Sequence, residues 1–296
     1  MVAVAFDYLA AGSYPEAAAR LAEYGDEAKI IAGGQSLLPM LNLRLARPSV
    51  LIDINAVDQR EPAVEDGTLR LPATTRHRVL LEHPLLRRHC PLLAGAVRHV
   101  GNVRVRNRGT IGGSLAHADP TSEIGSCALA LGAQVVALGP GGERAIDAAD
   151  LFITYLTTAL GETEVITDVL VPVAGPRQGW AFHEMVRRTS DFAIVAVAAW
   201  LELATGSDAV AAVRVALAGV AVRVVLVPPD TISPLLGGVP GDAEFQGAAA
   251  AIARSVDPAS DVHASAGYRR RLSEVLTARA LRDAYHRAQG VTACAN

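Results

Sequence analysis

Two glycine pairs, each placed directly after an apolar segment, constrain this chain more than any other feature of it. The first lies in Ala32-Gly33-Gly34-Gln35-Ser36-Leu37-Leu38-Pro39 and the second in Thr110-Ile111-Gly112-Gly113-Ser114-Leu115. A residue without a Cβ tolerates positive φ, and successive backbone N–H groups can then converge on an anion. Neither loop contains a basic side chain, so a diphosphate held between them would rest on backbone donors, with the hydroxyls of Ser36, Thr110 and Ser114 beside them. One Gly-Gly pair is usually a turn; two in similar settings argue for a ligand. Neither matches G-x-G-x-x-G or G-x-x-x-x-G-K-[ST], which removes the dinucleotide Rossmann and Walker readings. The residues by themselves reach a diphosphate-containing ligand and stop there.

The surrounding pattern begins β/α. Ser13-Tyr14-Pro15-Glu16 has the spacing of a capping box with an early proline, predicting a helix to about Tyr24 that stops at Gly25. Short strands are predicted over Ala28 to Ala32 and Val50 to Ile54. A helix is predicted from Pro91 to Val100, a glycine-rich loop over Gly109 to Gly113, and strands over Gln134 to Leu138 and Glu164 to Val173. Gly139-Pro140-Gly141-Gly142 is the expected turn between strands. The last third changes character. Ala193 to Leu203 and Val210 to Val220 are long β-type runs joined by Thr205-Gly206-Ser207-Asp208, a hairpin signal, and from Asp242 the chain is mostly helical. The natural division falls near Gly175.

Composition removes several classes. Hydrophobic residues are 51% and charged residues 19%, enough for a sizeable core, while aromatics at 4% leave that core to Ala, Val and Leu. A net charge of −3 gives no reason to expect nucleic acid as a partner. The three cysteines, Cys90, Cys127 and Cys294, include no C-x-x-C, which argues against an iron–sulfur or zinc site on this chain. His117 and Asp119 form an H-x-D pair, too few ligands for a structural metal. Asp7 interrupts the early apolar run, and Phe192 to Leu201 is about half the roughly 20 residues of a bilayer span. The expectation is a cytoplasmic protein without a membrane span.

Four segments together carry a resemblance. The two glycine loops, the second continuing as Leu115-Ala116-His117-Ala118-Asp119-Pro120, are followed by Arg187-Arg188-Thr189-Ser190-Asp191-Phe192-Ala193-Ile194-Val195. Then comes Asp257-Pro258-Ala259-Ser260-Asp261-Val262-His263-Ala264-Ser265, running into Tyr268-Arg269-Arg270. In this order they resemble the FAD-binding medium subunit of the molybdenum hydroxylases, the carbon monoxide dehydrogenase and xanthine dehydrogenase type, over nearly the whole chain.

The resemblance implies an α+β fold. A two-subdomain FAD-binding domain of the vanillyl-alcohol-oxidase/PCMH type spans 1–175, divided into about 1–56 and 57–175. A smaller α/β C-terminal domain with an antiparallel sheet spans 176–296. The resemblance also implies that Ala32, Gly33, Gly34, Gln35, Ser36 and Leu37 wrap the FAD diphosphate and that Thr110, Ile111, Gly112, Gly113 and Ser114 form a second wall. Glu123 falls where the family carries an acid for sugar or ribityl hydroxyls. Val100 and Ile166 are expected near the flavin. His183 falls near where relatives place a lysine, and Asp191 is expected either to fix a loop over the flavin or to cap a strand end. No acid–base catalytic residue is expected.

Molybdopterin and [2Fe–2S] clusters are expected only on large and small partner subunits, in a dimer of heterotrimers. The alternatives are a self-sufficient flavin oxidoreductase of the same fold and a non-catalytic flavin-binding assembly protein. The arginines at 98, 104, 106 and 108 read as a solvated face or a partner contact, and Arg269-Arg270-Arg271 as a helix surface. From Ala221 to Gly238 the family pattern is lost.

Overall fold

The computed structural model describes residues 5–291; Cys294 and the start of the early apolar run lie outside them. The first layer contains β1 (Asp7–Ala10), α1 (Tyr14–Tyr24), β2 (Ala28–Ile31), α2 (Leu37–Asn42) and β3 (Val50–Asp53), with the strands parallel in the order β1-β3-β2. Helix α1 starts as its sequence dictates: Ser13 Oγ accepts from Glu16 N–H at 3.2 Å. The reciprocal arm lands one residue early, because Glu16 accepts from Gly12 N–H at 2.8 Å. Gly25 ends the helix at φ +54°, in the region that glycine enters without a steric penalty. Ala17, Ala18 and Leu21 then pack on Val50 and Ile52.

The second layer opens with β4 (Ala63–Glu65) and β5 (Thr68–Pro72), followed by α3 (His77–Glu82), α4 (Pro84–His89) and α5 (Pro91–Ala96). Next come α6 (Val103–Arg108), α7 (Ile111–His117) and α8 (Glu123–Leu131). It closes with β6 (Gln134–Gly139), β7 (Gly142–Asp147), α9 (Ala148–Leu151), the small pair β8 (Phe152–Thr154) and β9 (Thr157–Thr158), and β10 (Val165–Pro172). The main sheet is antiparallel in the order β4-β5-β10-β6-β7. The helix predicted to Val100 ends at Ala96 and continues as turns. The segment predicted as a glycine loop is helical from Ile111, because the Thr110 hydroxyl caps Gly113 N–H at 3.1 Å and Gly112 lies in the first turn.

A buried ionic clip ties the strand-rich layer together. Asp168 of β10 is buried and accepts from Arg60 at 3.0 Å and Arg70 at 3.3 Å, while Arg60 also holds Asp58 at 2.6 Å. Burial alone would raise the Asp58 pKa, but its hydrogen bonds and ion pair with Arg60 outweigh this and hold it below the ordinary value. A depressed folded pKa adds stability that is complete above the unfolded value and is lost as pH falls through the folded one. Asp58→Asn should therefore flatten the acid limb of a Tm-versus-pH curve below roughly pH 4, the unfolded carboxylate range. An acid limb as steep as the wild type would remove Asp58 from this role.

The last layer is antiparallel, in the order β11 (Gln178–Met185), β12 (Val195–Leu203), β13 (Val210–Ala218) and β14 (Val225–Leu226). It is followed by α10 (Pro229–Ile232), α11 (Asp242–Ser255) and α12 (Ala266–Ala288). The sheet is covered on both faces. Ala196, Ala198, Ala216 and Ala218 join the core of the second layer, whereas Val195, Val197, Leu201 and Val215 face α11 and α12. Two-sided burial explains why the run ending at Leu201 is almost continuously apolar. The segment 221–238, expected to depart from the family pattern, is a short strand, a short helix and a 3-10 turn.

Arg269, predicted as helix surface, is buried. Its guanidinium donates to the Ile194 and Gly219 carbonyls and to Asp261. Arg271 of the same cluster is exposed as predicted. No helix among the described residues is long and apolar enough to cross a membrane.

Candidate functional site

The first glycine pair follows β2 and lies against the second glycine segment. A Cβ on Gly33 would sit 2.2 Å from the Arg108 carbonyl oxygen, so only glycine permits that approach. Gly34 turns the chain at φ +72°. Among the described residues, no N–H from Ala32 through Leu37 donates to an acceptor within the chain; Leu38 N–H, bonded to Gly34 O at 3.0 Å, is the next that does. Ser36 precedes α2 without capping it, and the Gln35 side-chain amide folds onto Gly33 O at 3.1 Å. The result is an open row of donors bent around a positive-φ glycine, the geometry of an anion cradle.

The second glycine pair works differently. Ile111 N–H donates to Thr75 O at 3.0 Å, Gly112 N–H to Ala73 O at 2.9 Å and Ser114 N–H to Thr110 O at 3.0 Å, while Gly113 N–H is taken by the Thr110 hydroxyl. These four donors are occupied, so the segment is not the open cradle its sequence suggests. Its glycines serve packing: a Cβ on Gly112 would meet Ala73 Cβ at 2.6 Å.

His77, not singled out from sequence, organises this wall. Its Nε2 lies 3.0 Å from both Thr110 O and Ser114 Oγ, and Gly109 is glycine because a Cβ there would meet the His77 ring at 2.7 Å. Burial lowers its pKa to about 4, so the ring is neutral at neutral pH. Arg76, also unforeseen, bridges the layers by donating to Arg108 O and, at 2.5 Å, to Asn55 Oδ1. Asn55 and Tyr8 in turn both donate to Asp53 at the end of β3. Tyr8, the Asp53–Asn55 pair and the Arg76–His77 pair are far apart in sequence and carry no spacing signal.

The remaining expected positions separate. Glu123 opens α8 and is half-buried; burial chiefly, with help from Glu184 and Asp119, pushes its pKa up to about 8. Val100 is half-buried and its carbonyl accepts from Arg106 at 3.0 Å. Ile166 is packed into the core of the second layer, 4% exposed. His183 points away from the glycine loops, with Nε2 2.8 Å from Asp283 of α12. Strand alternation puts its neighbours Phe182 and Glu184 on the opposite face, where both meet His99. Asp191 pairs with exposed Arg188 at 3.1 Å in a surface turn. Asp119 accepts from the Thr121 N–H and hydroxyl, which makes it a turn residue. Arg104, Arg106 and Arg108 of the arginine run lie on the short helix α6 and Arg98 in the turns before it, with Val103 exposed and Arg106 turned inward onto the carbonyls of Arg98, Val100 and Gly101.

Residues 4–174 match the family described as the FAD binding domain in molybdopterin dehydrogenase, and 180–284 match the CO dehydrogenase flavoprotein C-terminal domain. The chain belongs to the FAD-binding medium subunits of the molybdenum hydroxylase family. This medium subunit is 37% identical to the 6-hydroxypseudooxynicotine dehydrogenase complex subunit alpha of Paenarthrobacter nicotinovorans, over 96% of each chain. It is 35% identical to the carbon monoxide dehydrogenase medium chain of Hydrogenophaga pseudoflava, over 97% of this chain and 99% of that one. The solved carbon monoxide dehydrogenase of Hydrogenophaga pseudoflava lacking the Mo-pyranopterin moiety superposes with a TM-score of 0.93, at the same identity and coverage. The medium subunit is thus an oxidoreductase component with FAD as its cofactor, in the two-part fold expected of it. The open N–H row at Gly34 fits a diphosphate-linked flavin.

Proposed function

We propose that this medium subunit passes electrons from [2Fe–2S] clusters on a small partner subunit through its FAD to a terminal acceptor, while a large molybdopterin subunit oxidises the substrate. The observation that carries the reading is the open donor row from Ala32 to Leu37. These six N–H groups hold the diphosphate, and the occupied wall from Thr110 to Ser114 shapes the opposite side, with the half-buried Ser114 supplying its hydroxyl. Glu123 accepts from sugar or ribityl hydroxyls. The flavin-holding part is taken as 1–175 and the C-terminal domain as 176–296, in a cytoplasmic dimer of heterotrimers. The two described cysteines fit the division of labour: the Cys90 and Cys127 thiols are sealed in the hydrophobic core, where burial pushes Cys90 up to about 12. Exposed Arg104 and Arg108 at the edge of the site are the candidate contact with the small subunit; Arg106, held by three carbonyls, is not.

The purified chain should carry about one FAD per chain by the family's stoichiometry of one cofactor per site. Acid precipitation should release that FAD into the supernatant. Mixed anaerobically with an aldehyde or a nitrogen heterocycle, the isolated chain should keep its flavin oxidised, whereas the reconstituted three-subunit complex should bleach with its substrate. Rapid bleaching of the isolated chain would overturn the subunit reading in favour of a self-sufficient oxidoreductase. No bleaching in the complex would favour an assembly role.

A further inference from the structure

Arg76 stands where the two walls of the flavin site meet. It lies just past β5 and is bridged to Thr110 of the second wall. Its half-buried guanidinium has acceptors on both layers: Nη1 donates to Arg108 O, and Nη2 to Asn55 Oδ1 at 2.5 Å. Arg108 O is also the oxygen on which Gly33 is seated, too close to admit a Cβ. Arg76 and the open donor row therefore meet at one carbonyl.

Asn55 brings the far end of this link to the same edge of the first layer. Strands β2 and β3 are parallel, with Ile31 opposite Asp53. The donor row starts one residue after Ile31, and Asn55 follows Asp53 by two. Both lie at the carboxyl ends of parallel strands, the edge at which open α/β sheets take their ligands. The Asn55 backbone N–H and side-chain amide donate to Asp53 Oδ1 at 2.7 and 2.5 Å, and Tyr8 donates to Oδ2. With its NH2 group committed to Asp53, Asn55 has only its oxygen to offer Arg76.

The positive charge is left uncompensated at this contact, because both acceptors of Arg76 are neutral and Asp53 stands behind Asn55. Burial first, then repulsion from Arg108, draws the Arg76 pKa below its ordinary value, against attraction from Asp53. A half-buried cation held this way favours a nearby anion. The donor row from Ala32 to Leu37 faces one, the doubly negative diphosphate, and has no basic side chain of its own.

We infer that Arg76 is a positioning residue of the flavin site. It latches Asn55 of the first layer to Arg108 O of the second, which fixes the seat of Gly33, and it supplies the positive charge that the donor row lacks. The inference rests on the flavin reading above.

Titration of the cofactor-free chain with FAD, followed by flavin fluorescence at several salt concentrations, tests this. Circular dichroism checks that each variant folds. Arg76→Met should weaken FAD binding at least about tenfold, the order of one hydrogen bond to a charged group. It should also make the affinity less sensitive to salt, since salt screens the attraction of a cation for the diphosphate. Arg76→Lys keeps the charge and loses the planar fork, so it should bind FAD more weakly than the wild type with the wild-type salt dependence. Asn55→Ala should do the same, because it cuts the latch and leaves the guanidinium. Wild-type affinity in Arg76→Met overturns the inference. An unchanged salt dependence in Arg76→Met, or one flattened equally in Arg76→Lys, overturns the charge. Wild-type affinity in Asn55→Ala overturns the latch. If Arg76→Met does not fold, Arg76→Lys and Asn55→Ala decide the two halves by the same readings. A wild-type chain that binds no FAD sinks the flavin reading and this inference together, whereas wild-type binding with indifferent variants sinks this inference alone.

Discussion

Gly34→Val strips FAD from a chain that still folds. Gly34 sits at φ +72°, where a residue with a Cβ is strained by roughly 1–2 kcal/mol and a β-branched one by more. The new Cβ itself would crowd Leu38, with Cδ1 at 3.0 Å and Cγ at 3.2 Å, and touch Ile31 Cδ1 at an ordinary 3.6 Å; these are side-chain atoms, so the fold can yield. The cradle cannot, because relief of the strain rotates the very N–H groups that have no acceptor within the chain. FAD affinity should fall at least ~100-fold, about 2.7 kcal/mol at 1.4 kcal/mol per decade. Flavin-to-protein ratio and fluorescence titration read it. Gly141→Ala is the neutral comparison, with open space around its Cβ; Gly142 beside it is itself at φ +99° and would be strained. Equal flavin loss in both variants would mean general instability, and wild-type affinity in Gly34→Val would mean that the diphosphate binds elsewhere.

Arg269→Met is expected to cost about 3 kcal/mol of stability, the sum of buried carbonyls left without a donor at roughly 1–3 kcal/mol each. The guanidinium is the hub at which Ile194 O, Gly219 O and the Asp261 carboxylate meet. Those carbonyls flank the paired ends of β12 and β13, so their loss loosens the sheet at the edge nearest the Pro120 turn, to which Gly219 N–H is bonded at 2.8 Å. Arg271→Met, on the exposed side of the same helix, should change stability by less than about 0.5 kcal/mol, as surface substitutions generally do. Urea midpoints of the two variants decide the matter; equal midpoints would return Arg269 to the surface role its sequence suggests.

That misreading shows where sequence stops being sufficient. The start of α1 is legible because Ser13, Pro15 and Glu16 act within one turn, and β12 and β13 are legible because burial on both faces leaves an unbroken apolar run. Strand β11 is not, because Trp180, Phe182 and Glu184 face one partner while Ala181 and His183 face another, which scrambles the polar alternation. Helix α7 reads as a loop because Gly112 and Gly113 are poor helix formers; it forms because Thr110 caps it and Gly112 seats on Ala73, just past the end of β5. The same holds at the site. The glycine pairs announce themselves, since their chemistry is in the backbone and local. His77, Arg76, Asn55, His99 and Glu184 acquire meaning only when separate layers meet, and nothing in their spacing encodes the meeting.

Helix α8 carries a consequence for how the chain emerges from the ribosome. Every residue from Ile124 to Leu131 is buried, and part of that cover is β12 and β13, which are synthesised much later. At ordinary elongation rates of about 5–20 residues per second, the nascent chain therefore spends seconds with both glycine loops made and one apolar helix uncovered. Both glycine segments are complete in sequence well before the strands that bury α8 exist, so closing this core waits on the last third of the chain.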